Sequence, residues 1–383
     1  MAPVPYKEAD MRNLGIDVGK KESLFYVVDD VGRKIGSGTI STTEATAAEL
    51  VRHYQGDEGV AVALETGNLT FMLSRAMLQA GADVFVVDTY QNALIAQSTK
   101  KTDRLDAKQL AHQRRLNMLP PHSVYVPTEE AESLRRLVSA RARLVKERTG
   151  LSNRAIRLAE RQGITDIKKG ALSESGAWKR LLKLSSGWRL PMDQVLIGQY
   201  ATDAERLRRQ IAELEEVMTR HTQTHFPSET ELLQTVPGVG PVTAAALISQ
   251  VEEIERFDSA RQVCRYVGLT SSVRKSGKTV FSGHISKCGN GRLRGYLTQA
   301  AIHFLRHAKS DDPMLIWYQH LKSRRGWRKA RVALARKIAA VCYGVLKHRV
   351  PYNASYTQEV LRRSGHEVIK HDESLRPVFE QVL

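Results

Sequence analysis

Three observations in the sequence predict a mixed α/β sheet followed by a predominantly α-helical region. Near the start, three short stretches of β-type residues, two of them joined by a tight turn, read as a meander. Two nearly all-apolar runs further on, VAVALE and DVFVV, read as strands buried on both faces. From about residue 130 onward, apolar residues recur at helical spacing through long charged segments. A length of 383 residues gives room for two or three domains, each able to bury a core.

The elements follow in order. Strands are expected at Asn13–Val18, Ser23–Asp29 and Lys34–Ile40, the last two joined by the turn Asp30-Val31-Gly32-Arg33. A helix over Ala45–Tyr54 precedes the strand Val60–Glu65. Asn68 is placed to cap a helix running to Gln79, and Asp83–Val87 is the next strand. Helices over about Gln91–Ala96 and over Asp103–Leu116 complete residues 1–125. A three-strand meander followed by alternating helix and strand is the order of ribonuclease-H-like folds. Pro120, Pro121 and Pro127 mark a linker. In residues 126–225, Leu134, Leu137, Val138, Leu144, Val145, Leu151 and Leu158 form one helical stripe, and Leu207, Ile211, Leu214 and Val217 form another. An antiparallel coiled-coil arm fits this pattern, and so do two ordinary bundle helices. Residues 226–350 open with ELLQTVPGVGPVTAAALISQ, which reads as a helix–hairpin–helix; the tail, 351–383, carries no clear signal.

Charge is distributed unevenly. The net value is +17, yet Met1–Tyr90 holds 8 basic and 13 acidic side chains, whereas Gly268–Val350 holds 18 basic residues against only Asp311 and Asp312. So one-sided a segment points to a polyanionic partner, with nucleic acid the best fit, because neutralising phosphates releases counterions. Gly238 and Gly240 of the hairpin allow close backbone approach, and N–H groups at the following helix start can face a phosphate. No apolar run is long enough to span a membrane, and the N-terminal stretch lacks a secretory signal. Cys264, Cys288 and Cys342 form no CxxC pair, which excludes a zinc ribbon or disulfide scaffold and suits a reducing cytoplasm.

Four acids stand out. Asp17 ends the first strand in LGIDVGK and Glu65 ends VAVALE, and an unpaired carboxylate at such a position must reach a strand end or find a cation. Asp103 and Asp106, three apart in KTDRLDAK, share one helix face. Two carboxylates held roughly 4 Å apart repel by about 4 kcal/mol at an effective dielectric of about 20 unless a cation lies between them. A hard divalent ion such as Mg²⁺, with Mn²⁺ able to take its place, fits such oxygen donors. Each acid alone also reads as a turn residue or a solvated partner of Lys101, Arg104 or Lys108.

The motifs GIDVGKKES, ALETGN and KTDRLDAKQLA resemble the acidic tetrad of the RuvC-like DEDD insertion-sequence transposases of the IS-one-ten type. VPGVGPVTAAALISQV and the stretch FDSARQVCRYVGLTSSVRKSGKTVFSGHISKCGNGRLRGYLTQAA resemble the same family's second region. The resemblance covers about residues 12–305. It implies a RuvC-like catalytic domain over residues 1–125 and a serine-bearing transposase domain over 226–350. It further implies site-specific excision and insertion of an element, guided by a structured RNA that pairs with donor and target DNA. Asp17, Glu65, Asp103 and Asp106 match the metal-binding tetrad, and Ser276 in KSGK matches the nucleophilic serine. Ser282 is also followed by glycine, and Ser271 and Ser272 lie nearby, so the register of that serine stays open. Lys275, Lys278, Lys287, Arg292 and Arg294 are phosphate-contact candidates, the last two in a GNxxLR-like element. The family analogy implies homodimers pairing into a homotetramer in a prokaryotic cytoplasm, on nucleoid DNA.

Other readings remain at this level. A metal-dependent junction endonuclease would use the same acids with water and leave the second domain unexplained. The DVGK turn echoes an ATPase phosphate loop, without the second glycine-rich loop that chemistry needs. A purely structural nucleic-acid-binding protein would need none of the acids.

Overall fold

The structure, a computed structural model, describes residues 11–89, 103–167, 170–173, 175–276 and 279–354. The helix expected over Gln91–Ala96 and the tail from residue 355 lie outside the described residues. The chain divides into two compact units, Met1–Thr128 and Glu129–Leu383.

The first unit is a five-stranded sheet with helices on both faces. β1 (Arg12–Asp17), β2 (Glu22–Val28) and β3 (Lys34–Ser41) form the meander; α1 (Glu44–His53), β4 (Val60–Glu65), α2 (Thr70–Gln79), β5 (Asp83–Val87) and α3 (Asp103–Arg115) follow. The order is β3-β2-β1-β4-β5, antiparallel through the meander and parallel across β1, β4 and β5. This is the ribonuclease-H-like mixed sheet expected from the sequence. Leu14, Ile16, Val62, Leu64 and Val86 point to one face and pack with Leu50, Val51, Leu73 and Met77 of α1 and α2. The alternate residues Ala63 and Val87 face the other side, against Leu110 of α3.

Small residues under α3 let it lie almost on the backbone of the sheet. A Cβ on Gly15 would stand 2.1 Å from the Ala107 carbonyl oxygen and 2.4 Å from the Ala111 nitrogen, closer than any side-chain carbon tolerates. Gly15 is therefore the seat of α3.

Two local expectations need correction. Asn68 does not cap α2: the helix begins at Thr70, preceded by Leu69 with no side-chain cap. The Thr70 hydroxyl instead donates to the Glu65 carbonyl at 2.7 Å, which closes the turn between β4 and α2. The proline-marked segment is not a free linker either. Val124 N–H donates to Val86 O at 2.8 Å, and Val86 N–H donates to Ser123 Oγ at 2.9 Å. Val124 and Val126 also pack on the core, so this strap runs along the outer edge of β5. The prolines exclude a helix there, while the apolar residues between them still find the sheet.

The second unit contains α4 (Glu129–Arg161), α5 (Ser175–Ser185), α6 (Pro191–His225), α7 (Pro227–Gln234), α8 (Pro241–Val251), α9 (Ala260–Tyr266), β6 (Ser271–Ser276), β7 (Thr279–Ile285), α10 (Gly291–His307), α11 (Pro313–Arg325) and α12 (Trp327–His348). α4 and α6 are antiparallel. His221 at the end of α6 meets the Glu130 carbonyl at 2.9 Å, Arg141 pairs with Glu215 at 2.6 Å, and Gln162 donates to Asp193 at 2.9 Å. The distal ends of the pair close over α5, where Trp178, Leu181 and Trp188 share a core with Ala155, Ile156, Ile197 and Leu207. The proximal ends belong to the main core through Leu134, Val138 and Met218. On α6 the buried stripe passes through Met218, and Val217, expected inside, is exposed. Ile197, Ala204, Ile211 and Met218 recur every seven residues, and Val217 falls one position off that stripe.

That main core is built around α8 and the second half of α12, Ile338 to Leu346, both buried nearly all round. The β6–β7 hairpin is a β element that the sequence reading of this region did not anticipate. Among the described residues no helix is long and apolar enough to cross a membrane. Cys264 and Cys342 are buried and Cys288 is exposed; burial pushes Cys264 up and Cys342 up to about 12.

Gly15→Val should destabilise the chain by at least the ~1–3 kcal/mol typical of overpacking, read as a lower thermal midpoint; an unchanged midpoint would mean that α3 does not need this seat. A thiol reagent should label Cys288 in the native chain and reach Cys264 and Cys342 only after unfolding, as mass spectrometry of timed samples would show.

Candidate active site and nucleic-acid interface

The backbone accounts for where the acids stand: Asp17 and Glu65 end neighbouring strands, and Asp103 and Asp106 lie in the first turn of α3. Ile16 of β1 stands opposite Leu64 of the parallel strand β4, so Asp17 and Glu65 end their strands side by side. Each shares the face of the residue two before it, Gly15 and Ala63, which is the face α3 covers. The direction of α3 follows from its far end. Arg114 pairs with Asp83, the first residue of β5, and Arg115 donates to the Asp30 carbonyl beyond the end of β2 at 3.1 Å. Both partners lie at the edge where β1 and β4 begin. The start of α3 therefore lies at the opposite edge, where β1 and β4 end.

Asp103 is the first residue of α3 and stands one turn before Ala107, the residue over Gly15; Asp106 is beside Ala107 in sequence. Asp17, Glu65 and Asp106 are each half-buried, whereas the side chain of Asp103 lies outside the described set. Among the described residues, no three acidic, histidine or cysteine side chains already enclose an ion site. The donor chemistry nonetheless fits one: carboxylate oxygens alone, of the kind hard divalent cations take.

Two threonines that sequence reasoning overlooked tie down the Glu65 end. Thr66 N–H donates to Val87 O at 3.0 Å and its hydroxyl meets that of Thr89 at 2.9 Å, while Thr70 holds the Glu65 carbonyl. Their place in ETGNLT, between a strand and a helix, was the available signal. On the body of α3, His112 packs on Tyr26 with ring centroids 6.1 Å apart. Burial, then the charges of Arg115 and Lys108, push its imidazole below the usual value.

In the second unit, Ser276 is the last residue of β6, opposite Thr279 across a two-residue connection. That connection, with Lys278, lies outside the described residues, as do the side chains of Lys275 and Ser276. Ser282 stands opposite Val273 within the ladder, and Ser271 is at its base. Of these serines, Ser276 is the one at the hairpin tip.

The base of the hairpin is held by the GNGRLR element. Asn290 caps α10 by accepting from Leu293 N–H at 3.0 Å, and its side-chain amide donates to Gln250 at 2.7 Å. Arg294 donates to the carbonyls of Val267 at 2.9 Å and Lys287 at 3.3 Å, bridging the segments before β6 and after β7. Gly289 has φ +115°, and a Cβ there would lie 2.3 Å from the Tyr266 carbonyl oxygen. Arg294, expected to face phosphate, thus has an internal role. Lys287 is exposed, and Arg292, also exposed, donates to Ser139 on α4.

The helix–hairpin–helix of the sequence is present as α7, a glycine turn and α8. Gly238, at φ +86°, makes its close approach to α10: a Cβ there would be 2.4 Å from the Ala300 carbonyl oxygen. Gly240 faces open space at the N-terminus of α8. A shallow groove of about 250 Å³ lies beside it, bordered by Thr243, Gln299, His303 and Arg306.

Comparison with known proteins assigns this arrangement. Residues 14–161 match the DEDD transposase family of the IS110 type, and residues 230–313 match the transposase IS116/IS110/IS902 family. The chain thus carries both domains of the IS110-type insertion-sequence transposases. The transposase for insertion sequence element IS1111A of Coxiella burnetii is 28% identical over 346 residues, covering 90% of this chain and 92% of that protein. The transposase for IS1328 of Yersinia enterocolitica is 24% identical, covering 87% and 96%. Members of this transposase family cleave and rejoin DNA, and DEDD domains of this kind use divalent metal ions. The first match contains the sheet and α3; the second contains the glycine turn, the hairpin and all of α10.

Arg294→Ala should loosen the hairpin without unfolding the unit. Faster amide exchange across residues 271–285, with the α8 and α12 cores unchanged, is the expected pattern.

Proposed function

We propose that this IS110-family transposase is an RNA-guided, site-specific recombinase that excises and inserts its element through a serine–DNA covalent intermediate. Asp17, Glu65, Asp103 and Asp106 hold Mg²⁺, or Mn²⁺ in its place, at the edge where β1 and β4 end. The observation that supports this most is the antiparallel run of α3 over β1, which directs its acidic start to the strand ends of Asp17 and Glu65. When bound, the metal supplies a positive charge that stabilises the anionic oxygens at a reacting phosphate.

Ser276 is the nucleophile in this reading. Its Oγ forms a bond to phosphorus as the bond from phosphorus to the deoxyribose oxygen breaks; the serine proton passes to solvent or a neighbouring base, and the leaving oxygen takes up one proton from the same source to become a free hydroxyl. The resulting phosphoserine conserves the energy of the phosphodiester, so rejoining to a new hydroxyl needs no added cofactor. A position at the hairpin tip, held from below by Arg294 and Asn290, supports Ser276 over Ser271, Ser272 and Ser282. Lys275, Lys278, Lys287 and Arg292 supply charge for phosphates around it. Because the acids and the serine belong to different compact units, the serine of one subunit can serve the acids of another in a tetramer of paired dimers. Donor and target DNA are chosen by pairing with an element-encoded RNA, on nucleoid DNA in the cytoplasm.

Ser276→Ala should abolish strand exchange while leaving folding and nucleic-acid binding intact, and denaturing gels should show a covalent protein–DNA adduct with the wild type alone. An adduct formed by the variant would overturn the assignment. Asp17→Ala should likewise end cleavage, and recombination persisting under metal chelation would remove the metal from the scheme. Binding should weaken by about 10³-fold or more between roughly 50 and 200 mM salt if six or more phosphates are contacted. Sequencing RNA that copurifies with the protein tests the guide: a single structured species from the element is expected, and bulk cellular RNA would count against it.

A further inference from the structure

The junction of α11 and α12 carries a feature that the cleavage chemistry does not use, and it lies beyond residues 230–313, the second family match. Trp327 begins α12 and is 49% exposed, although tryptophan is usually well buried. Around it Lys322, Arg324 and Arg325 end α11, and Arg328 and Lys329 open α12; all five are exposed. The Arg331 guanidinium lies 4.9 Å from the Trp327 ring centroid and that of Arg328 lies 5.3 Å away.

These charges are poorly placed for the protein alone. The N-terminus of α12 carries the positive end of the helix dipole, where acidic residues are favoured, yet its first turn has none. The sequence itself places no acidic residue between Asp312 and Glu359. A cationic cluster gathered on a helix N-terminus is relieved by a polyanion, and an exposed indole among arginines offers a flat apolar face to a base. Duplex DNA keeps its bases stacked on one another, so an accessible base face belongs to a single strand.

We infer that the Trp327 junction is a binding platform for single-stranded nucleic acid. One base stacks on the indole, and Arg324, Arg325, Arg328 and Lys329 hold the flanking phosphates. The platform does not depend on Ser276 or on the acidic tetrad. It fits the strands that must be unpaired while sites are exchanged, or a loop of a structured RNA.

The test uses the full chain and fluorescence-labelled 12-nucleotide oligo-dT and oligo-U, with a duplex of equal length as control. Trp327→Ala should weaken single-strand binding by about tenfold or more, with duplex binding changed by less than about twofold. Trp327→Phe keeps a stacking face and should restore most of the affinity. In the wild type, single strands should quench tryptophan emission, and Trp327→Phe should remove that part of the quenching, since Trp178, Trp188 and Trp317 remain. Equal losses for single strand and duplex, or no change in either, would overturn the platform. Should Trp327→Ala fail to fold by circular dichroism, the quenching difference with Trp327→Phe decides alone. The stronger of the dT and U responses identifies whether DNA or RNA is its ligand.

Discussion

The contact of α3 with β1 at Gly15 governs the catalytic half of this molecule. Here the Ala107 carbonyl and the Ala111 nitrogen come within reach of where a Gly15 side chain would be. Two consequences follow from that approach. The helix must run antiparallel to β1, because Arg114 and Arg115 anchor its far end at Asp83 and Asp30. Its acidic start is thereby carried to the edge where Asp17 and Glu65 end their strands.

The second unit solves a related problem with different means. Its β6–β7 hairpin ends β6 at Ser276, and a two-stranded hairpin is marginal alone. Gly289, Asn290 and Arg294 provide the hold from the start of α10, which is itself locked into the core by Leu293 and Leu297. The basic residues of this segment therefore divide into two groups. Arg294 is internal and supports backbone carbonyls, whereas Lys287 and the cations around Trp327 face solvent.

Much of this was legible in the residues. The meander, the buried strands VAVALE and DVFVV and the helix from Asp103 appear within a residue or two of their expected limits, because alternation and apolar runs report burial directly. The misreadings share one cause, which is that they depend on partners distant in sequence. Thr70 displaced Asn68 because a carbonyl at Glu65 was within its reach. The strap at residues 123–127 docked because β5 had a free edge. Val217 yielded to Met218 because the stripe facing the opposing helix repeats every seven residues through Ile211 and Met218.

From the sequence alone came the ribonuclease-H-like order, the separation of an acidic first region from a basic last one, and the candidate acids and serine. These are local properties of pattern and charge, which a chain displays before it folds. The tertiary structure alone decided which sheet edge receives the start of α3, that Gly238 and Arg294 serve internal packing, and that Ser276 ends a clamped strand. Each of those depends on close approach between segments far apart in the chain, and close approach is set by packing, which no single stretch of residues records.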